Sequence, residues 1–500
     1  MLFRSQRWEV AGASGYLGQS APSITAGLGA VGEADIVRML WPTGVLQDEI
    51  QLAGGAEHTI TEIDRRGSSC PVVFAWNGER FDFISDTIGP AVVGHWVGPG
   101  ERNLPDPDEY IKIEASQLRP RAGRLLLRFM EPMEELIYLD QVRLLAVDHP
   151  ADVDVHPNER FAATPPFPEF KIVASRKARL PAGAWVEQVR DVREALRERD
   201  RHYVGPSTLS PFKGFATLHT LKLDVGDWSP AQPLRLLLHG YTEYFTATSL
   251  YAAHQAGVEP ILPYVEALLP EGRWVRVVDD MGFPAGLRRT MVADLSGRLP
   301  AGVRRIRIVT NLQIYWDQIL LDTTEEEIPL RVASAPLAES TLRFRGYPRQ
   351  VDGASPGDVS YSYGEVSLTG PYARHRGSYT RYGEVDDLLK QVDSRFVIFG
   401  SGEEVALAFD ATALPPLAPG WARDYFFYAN GFVKDMDFYE AHALTVAPLP
   451  FQGMGVYPYP PGKSYPMGEE YLRYLLDYND RLVSGNESSA FRFQYHRAED

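Results

Sequence analysis

Apolar and polar residues alternate with a period of two through much of this chain. Leu221, Leu223 and Val225 alternate with Thr220, Lys222 and Asp224, and Ile306 and Ile308 alternate with Arg305 and Arg307. That pattern predicts strands with one wet face, as in antiparallel sheets. Residues 36–41 predict a strand closed by the turn Pro42-Thr43-Gly44. Residues 72–76 predict another, followed by Asn77-Gly78 and a return strand over 80–84, and Asn-Gly between apolar runs is a hairpin signal. Residues 395–399 and 403–409 predict a further strand pair across Gly400-Ser401-Gly402. Two stretches change period. Residues 186–203 are charge-rich with Val189, Val192 and Leu196 near helical spacing, and 469–482 place Tyr471, Leu475, Tyr478 and Leu482 on one face. The second follows the proline-rich stretch 457–461, which suits a loop that docks a terminal helix.

One segment occurs twice. Ile137-Tyr138-Leu139-Asp140-Gln141-Val142-Arg143-Leu144 matches Ile314-Tyr315-Trp316-Asp317-Gln318-Ile319-Leu320-Leu321, with Ala122-Gly123 and Ala301-Gly302 upstream of the two copies. Each copy reads as turn, strand, turn, strand. The expectation is a mainly β chain of tandem antiparallel β-sandwich modules of jelly-roll type, with a helical insertion near 186–203 and a C-terminal helix near 469–482. The expected divisions are a small β domain over 1–65, a first sandwich over 66–160, a second over 161–330 and a C-terminal β-rich region over 331–500.

Composition narrows the function. The 500 residues carry 50 Lys+Arg against 66 Asp+Glu, a formal net charge of −16. A general nucleic-acid binder needs a basic surface, so that class is excluded, and so is docking on an anionic membrane. A single cysteine, Cys70, rules out a disulfide framework and any zinc site with two thiolates. No apolar run approaches the roughly 18 residues of a membrane-spanning helix. The start of the chain carries no secretory signal, and Arg7-Trp8-Glu9-Val10 reads as a strand without lead-in. The expectation is a chain lacking its natural N-terminal portion.

Three groups of residues are candidates for chemistry. Asp148, His149, Asp152 and Asp154, with His156 and Glu159 nearby, are the densest set of possible ligands for a hard cation such as Ca²⁺, although the favoured reading of the same residues is a polar linker between two sandwiches. Tyr241, Tyr244, Tyr315 and Trp316 concentrate aromatic rings in the second module, where they would stack on sugar rings or fill a core. Asp317, like its counterpart Asp140, is either a ligand contact or an acceptor that pins the strand. No phosphate loop, dinucleotide fingerprint or Gly-x-Ser-x-Gly elbow is present in the sequence. Cys70 has no activating setting and reads as structural.

The first 65 residues resemble the ASPIC/UnbV domain. The residues that carry the resemblance are Gly15-Tyr16-Leu17, Gln19-Ser20, Gly27-Leu28-Gly29 and the strand from Val37 into Trp41-Pro42-Thr43-Gly44. The resemblance implies a bacterial protein exported to the periplasm, surface or medium, in which FG-GAP repeats usually precede this domain. Residues 66–500 look like the long C-terminal region of some such proteins, through Asp148-His149-Pro150, the stretch 281–286, Asn311 and the stretch 379–383. The resulting expectation is a non-catalytic exported protein that binds carbohydrate or a protein partner. The alternatives are a carboxylate-dependent enzyme acting on polysaccharide and a scaffold without a small ligand.

Overall fold

The computed structural model describes residues 5–10, 18, 23–40, 46–61, 70–187, 190–370, 372–484 and 495–497. Within them the chain is mainly β, its ladders are antiparallel, and two α-helices occur. Glu33–Leu40 pairs with Leu46–Ala53 near the start. Arg7 to Val10 form no strand, contrary to expectation, because no ladder partner lies beside them among the described residues. The segments Gly15-Tyr16-Leu17, Gln19-Ser20 and Trp41-Pro42-Thr43-Gly44, and Val189, lie outside the described residues.

Two sandwiches follow. In the first, one sheet has the strand order Gly383–Glu384, Leu337–Phe344, Glu403–Asp410, Arg124–Met130, Val72–Trp76, Phe81–Asp86. The other runs Arg331–Ala335, Leu136–Pro150, Trp421–Lys434, Asp108–Ile113, with Val397–Gly400 also paired to Leu136–Pro150. The pleat sorts their residues: Leu125, Leu127 and Phe129 point into the shared core, while Arg124, Leu126 and Arg128 point away from it. In the second sandwich, the sheet Ala178–Arg179, Ile314–Asp322, Arg235–Thr242, Arg289–Asp294 packs over the sheet Arg190–Asp191, Gly183–Val186, Phe215–Asp224, Arg305–Leu312, Tyr264–Leu268, Trp274–Val278.

The chain order of these strands departs from the expected divisions. Strands before 150 and strands after 331 share both sheets of the first sandwich, so 331–500 supplies half of that module rather than a region of its own. The second module is threaded between the two halves. The two modules nevertheless match strand for strand. Arg124–Met130 and Leu136–Pro150 lie in different sheets, beside Glu403–Asp410 and Trp421–Lys434 respectively. Arg305–Leu312 and Ile314–Asp322 lie in the same way beside Phe215–Asp224 and Arg235–Thr242. The first module is therefore a circular permutation of the second: its opening strand Val72–Trp76 occupies the place of Tyr264–Leu268, and Arg331–Ala335 that of Ala178–Arg179.

A shared bulge confirms the register. Pairing slips by one residue opposite Asp140 in the first module and opposite Asp317 in the second. At each slip the facing strand places a glycine, Gly431 or Gly240. A Cβ there would come within 2.4 Å of the Tyr138 carbonyl oxygen or 2.2 Å of the Tyr315 carbonyl oxygen.

Three local expectations are corrected. Residues 186–203 form no α-helix. Gly183–Val186 pairs with Arg190–Asp191, and only a 3₁₀ turn, Glu194–Leu196, follows, because Val192 and Leu196 are buried as plugs of the sandwich end. The strands Val397–Gly400 and Glu403–Asp410 do not pair with each other; the chain crosses between sheets at Gly402, whose φ of +76° suits glycine. The terminal helix, α2 (Glu469–Tyr478), stops before Leu482, which lies in the strand Arg481–Val483 paired to Gly377–Tyr379. A helix not anticipated, α1 (Ala247–Gln255), starts at Thr246, whose side chain accepts from the Ser249 amide at 3.1 Å.

Candidate functional site

The duplicated Asp-Gln pairs are pins. Asp140 accepts backbone N–H bonds from Asp393 (3.2 Å) and Ser394 (3.0 Å), and Gln141 donates to the Lys390 carbonyl at 2.6 Å. Asp317 accepts from the Arg201 amide at 2.9 Å, and Gln318 donates to the Arg197 carbonyl at 2.8 Å. Ser394 and Arg201 share a left-handed backbone, φ +68° and +67°. The loops they sit in are a second repeat, missed in the sequence analysis. Val192, Leu196, Asp200 and Val204 recur as Val385, Leu389, Asp393 and Val397, and Tyr203 as Phe396.

The aromatic candidates belong to this framework. Tyr203 packs edge-on against Tyr241 (4.9 Å) and Tyr315 (6.5 Å), and Phe396 packs in the same way against Phe432 (6.0 Å) and Tyr138 (5.9 Å). Tyr241 and Tyr315 stack at 4.8 Å, and Trp316 is core with 5% exposure. Tyr244 is half-buried, its ring edge-on to His95. Tyr241, Tyr315 and Trp316 are buried, and Tyr203 and Tyr244 are half-buried. Asp317 is 1% exposed and holds a backbone amide, so it too is spent inside the fold.

The acidic-loop candidates are drawn apart by cations. Asp148 takes a two-pronged bond from Arg423 at 2.5 and 2.8 Å. Asp152 pairs with Arg176 at 2.8 Å, and Lys112 bridges Asp154 (2.5 Å) and Asp424 (3.0 Å). His149 faces Asp424 at 3.5 Å. Burial would raise the Asp154 carboxyl, but His156 and Lys112 together hold it well below the carboxylate range. Among the described residues no three His, Cys, Asp or Glu side chains are placed to hold a metal ion. Asp148 and His149 are neighbours on the strand Leu136–Pro150, Asp152 sits in the turn after it and Asp154 opens the next strand, and each is held by its own ion-pair partner.

Sequence reasoning also missed a buried acidic group. The crossover between Arg124–Met130 and Leu136–Pro150 carries Glu131, Glu134 and Glu135, all at 0–3% exposure. Burial pushes Glu131 up to about 8, and burial together with the Glu131 charge pushes Glu135 well up. The Tyr361 hydroxyl is buried close to both. Lys434, driven down to about 7 by burial, bonds the Thr445 and Val446 carbonyls and the Tyr457 hydroxyl at 2.9–3.1 Å. The acids are sealed from solvent.

The open feature lies on the second module. A hollow of about 540 Å³ sits against the pinned loop, lined by Arg190, Arg193, Glu194, Ala195, Tyr203 and Val204 among others. Its rim is charged: Arg193 and Arg197 both pair with Glu194, at 2.7 and 2.5 Å. Val192 and Val204 give it a buried apolar floor. On the matching face of the first module α2 covers the loop, with Tyr474 buried at 3% and its hydroxyl bonded to the Phe396 carbonyl at 2.7 Å.

The fold thus defines a class: a mainly β chain of two permuted sandwiches behind a small N-terminal strand pair. Residues 3–67 match the family described as ASPIC and UnbV, and the chain carries an ASPIC/UnbV domain there. No curated protein and no solved structure matches the chain. Among the described residues no helix is long and apolar enough to cross a membrane.

Proposed function

We propose that this chain is a non-catalytic recognition protein that holds its ligand, a protein partner or a carbohydrate, in the hollow beside residues 190–204. The observation that carries the reading is the contrast between two equivalent faces, one closed by the chain's own tail and the other left open with a charged rim and an apolar floor. A protein segment suits it better than a sugar, because Tyr241, Tyr315 and Trp316 are buried and Tyr203 is the one ring among the lining residues. The rival enzyme reading rests on Glu131 and Glu135, and their burial away from solvent weighs against substrate access. The ASPIC/UnbV match supports placement outside a bacterial cytoplasm; fractionation of the source cell, with the protein in the cytoplasmic fraction, would refute that.

The test is a glycan array and a peptide array probed with the intact chain and with Ala195→Trp, which fills the hollow. The expected result is at least one ligand bound by the wild type and lost by the variant, with unchanged melting behaviour. Ligands retained by Ala195→Trp, or none bound by either chain, would overturn the reading.

A further inference from the structure

The two pinned loops share a framework and differ in what covers them. On the first module, the segment 465–478 seats three tyrosine hydroxyls on backbone carbonyls of the loop. Tyr474 bonds Phe396 O at 2.7 Å, Tyr465 bonds Ser394 O at 2.5 Å and Tyr471 bonds Asp393 O at 3.0 Å. Tyr471, Leu475 and Tyr478 pack beside Tyr474 on the same core. The strand Arg481–Val483 then pairs with Gly377–Tyr379.

On the second module the corresponding carbonyls belong to Asp200, Arg201 and Tyr203, and none of them accepts a hydrogen bond among the described residues. The side chains change in the same sense. Leu388, 3% exposed in the core cluster that also holds Tyr474, corresponds to Ala195, which lines the hollow. A smaller residue leaves the groove unfilled.

Charge selects the occupant. Residues 383–396, under α2, carry one lysine and one arginine against four acids. Residues 190–203 carry five arginines against four acids. Arg190, on the rim, has no ion pair among the described residues. The helix that covers the first loop is itself acidic, with Glu469, Glu470 and Asp477 against Arg473. The second loop spends Arg193, Arg197, Arg199 and Arg201 on Glu194, Glu114 and Asp358, so Arg190 is the cation it offers to an acidic helix. A second copy's α2 is a poor source, because leaving its own module would expose Tyr474 and the core beneath it.

We propose that the hollow on the second module is a docking groove for an acidic, tyrosine-bearing amphipathic helix of a partner protein, seated there as α2 is seated on the first module. The inference rests on the binding reading above and names its partner. Helix-in-groove docking spends the same contacts: an apolar stripe into a groove and polar groups at its rim.

The experiment uses a fluorescent peptide with the sequence of residues 464–483 as probe and the intact chain as receptor, followed by anisotropy. Saturable binding is expected, weakened about tenfold or more by Ala195→Arg in the chain, which blocks the groove. Arg190→Glu, remote from the core, should weaken it in the same direction, and both variants should melt as the wild type does. A peptide carrying Tyr471→Phe and Tyr474→Phe should bind more weakly. Absence of saturable binding, or binding indifferent to Ala195→Arg and Arg190→Glu, overturns the helix proposal. So does a concentration-dependent dimer of the chain that the peptide dissociates, since the occupant would then be a second copy. A glycan lost on Ala195→Trp would leave the recognition reading standing while the helix fails; blank arrays would remove both.

Discussion

The two sandwiches are one design used twice, with different fates at the same end. In both, an Asp-Gln pair at a glycine-faced bulge pins a loop with one left-handed residue, and an aromatic trio fills the space beneath. In the first, Phe396 is fully buried under α2; in the second, Tyr203 is half-buried and faces a hollow. What the modules share is what folding needs. What they do not share, a cover on one and an arginine-lined opening on the other, is where function has room to act. Asp140 and Asp317 are therefore poor guides to a ligand, because each is consumed in holding its own loop.

The comparison can be broken most severely through the cores. Trp316 and Leu139 occupy equivalent positions, and both are buried. Trp316→Ala is expected to cost about 3–5 kcal/mol and Leu139→Ala about 2–5 kcal/mol. Calorimetry would read both. If the threaded modules unfold as one unit, each variant lowers a single transition; two transitions, each moved by one variant only, would show that the modules fold independently. A Trp316→Ala chain that melts like the wild type would return that side chain to the surface and reopen the sugar-platform reading.

A smaller effect separates the two pins. Asp140 accepts from the Asp393 and Ser394 amides and from the Gln452 side chain (2.9 Å), whereas Asp317 accepts from the Arg201 and Asp200 amides without a counterpart of Gln452 among the described residues. Leaving buried donors unpaired costs about 1–3 kcal/mol. Asp140→Ala should fall at the upper end of that range in urea titration, and Asp317→Ala at the lower. Equal costs would mean that the tail, through Gln452, adds nothing to the first pin.

Much of this was legible in the chain, and the rest was hidden for identifiable reasons. The strand pattern at 215–225 and 305–312 and the Asn77-Gly78 hairpin follow from alternation and turn chemistry, which are local. The short repeat at 137–144 and 314–321 was visible because both copies are contiguous. The full repeat was not, because insertion of the second module permutes the strand order, so no single offset aligns the whole. Val192 to Val204 matches Val385 to Val397 at one constant offset, but its charges and apolar spacing read as a helix. The apolar positions plug a sandwich end instead, with the Val192 amide bonded to the Ala184 carbonyl and Val204 bridged to Trp316. Neither the hollow nor the sealed acids could be read, since both depend on which distant segment covers a residue.

Those acids supply the subtlest contrast. The crossover of the first module carries Glu131, Glu134 and Glu135; that of the second, between Leu312 and Ile314, carries only the neutral Gln313. Burial raises Glu131 from the ordinary 4.5 to about 8 in the folded chain. Between those values the folded state keeps a proton that the unfolded state releases, so stability from this group is present at low pH and is lost as pH rises toward 8. The slope is on the order of 1 kcal/mol per pH unit for one proton. Lys434 acts in the opposite sense above pH 7, because burial lowers its ammonium to about 7 and deprotonation then favours the folded chain. The informative quantity is therefore the difference between wild type and Glu131→Gln, in which Lys434 cancels. Denaturant titrations from pH 5 to pH 8 should show Glu131→Gln gaining on the wild type at every step. A difference that stays flat across that range would mean that Glu131 keeps its ordinary acidity, and that the first module holds its extra charge in contact with water.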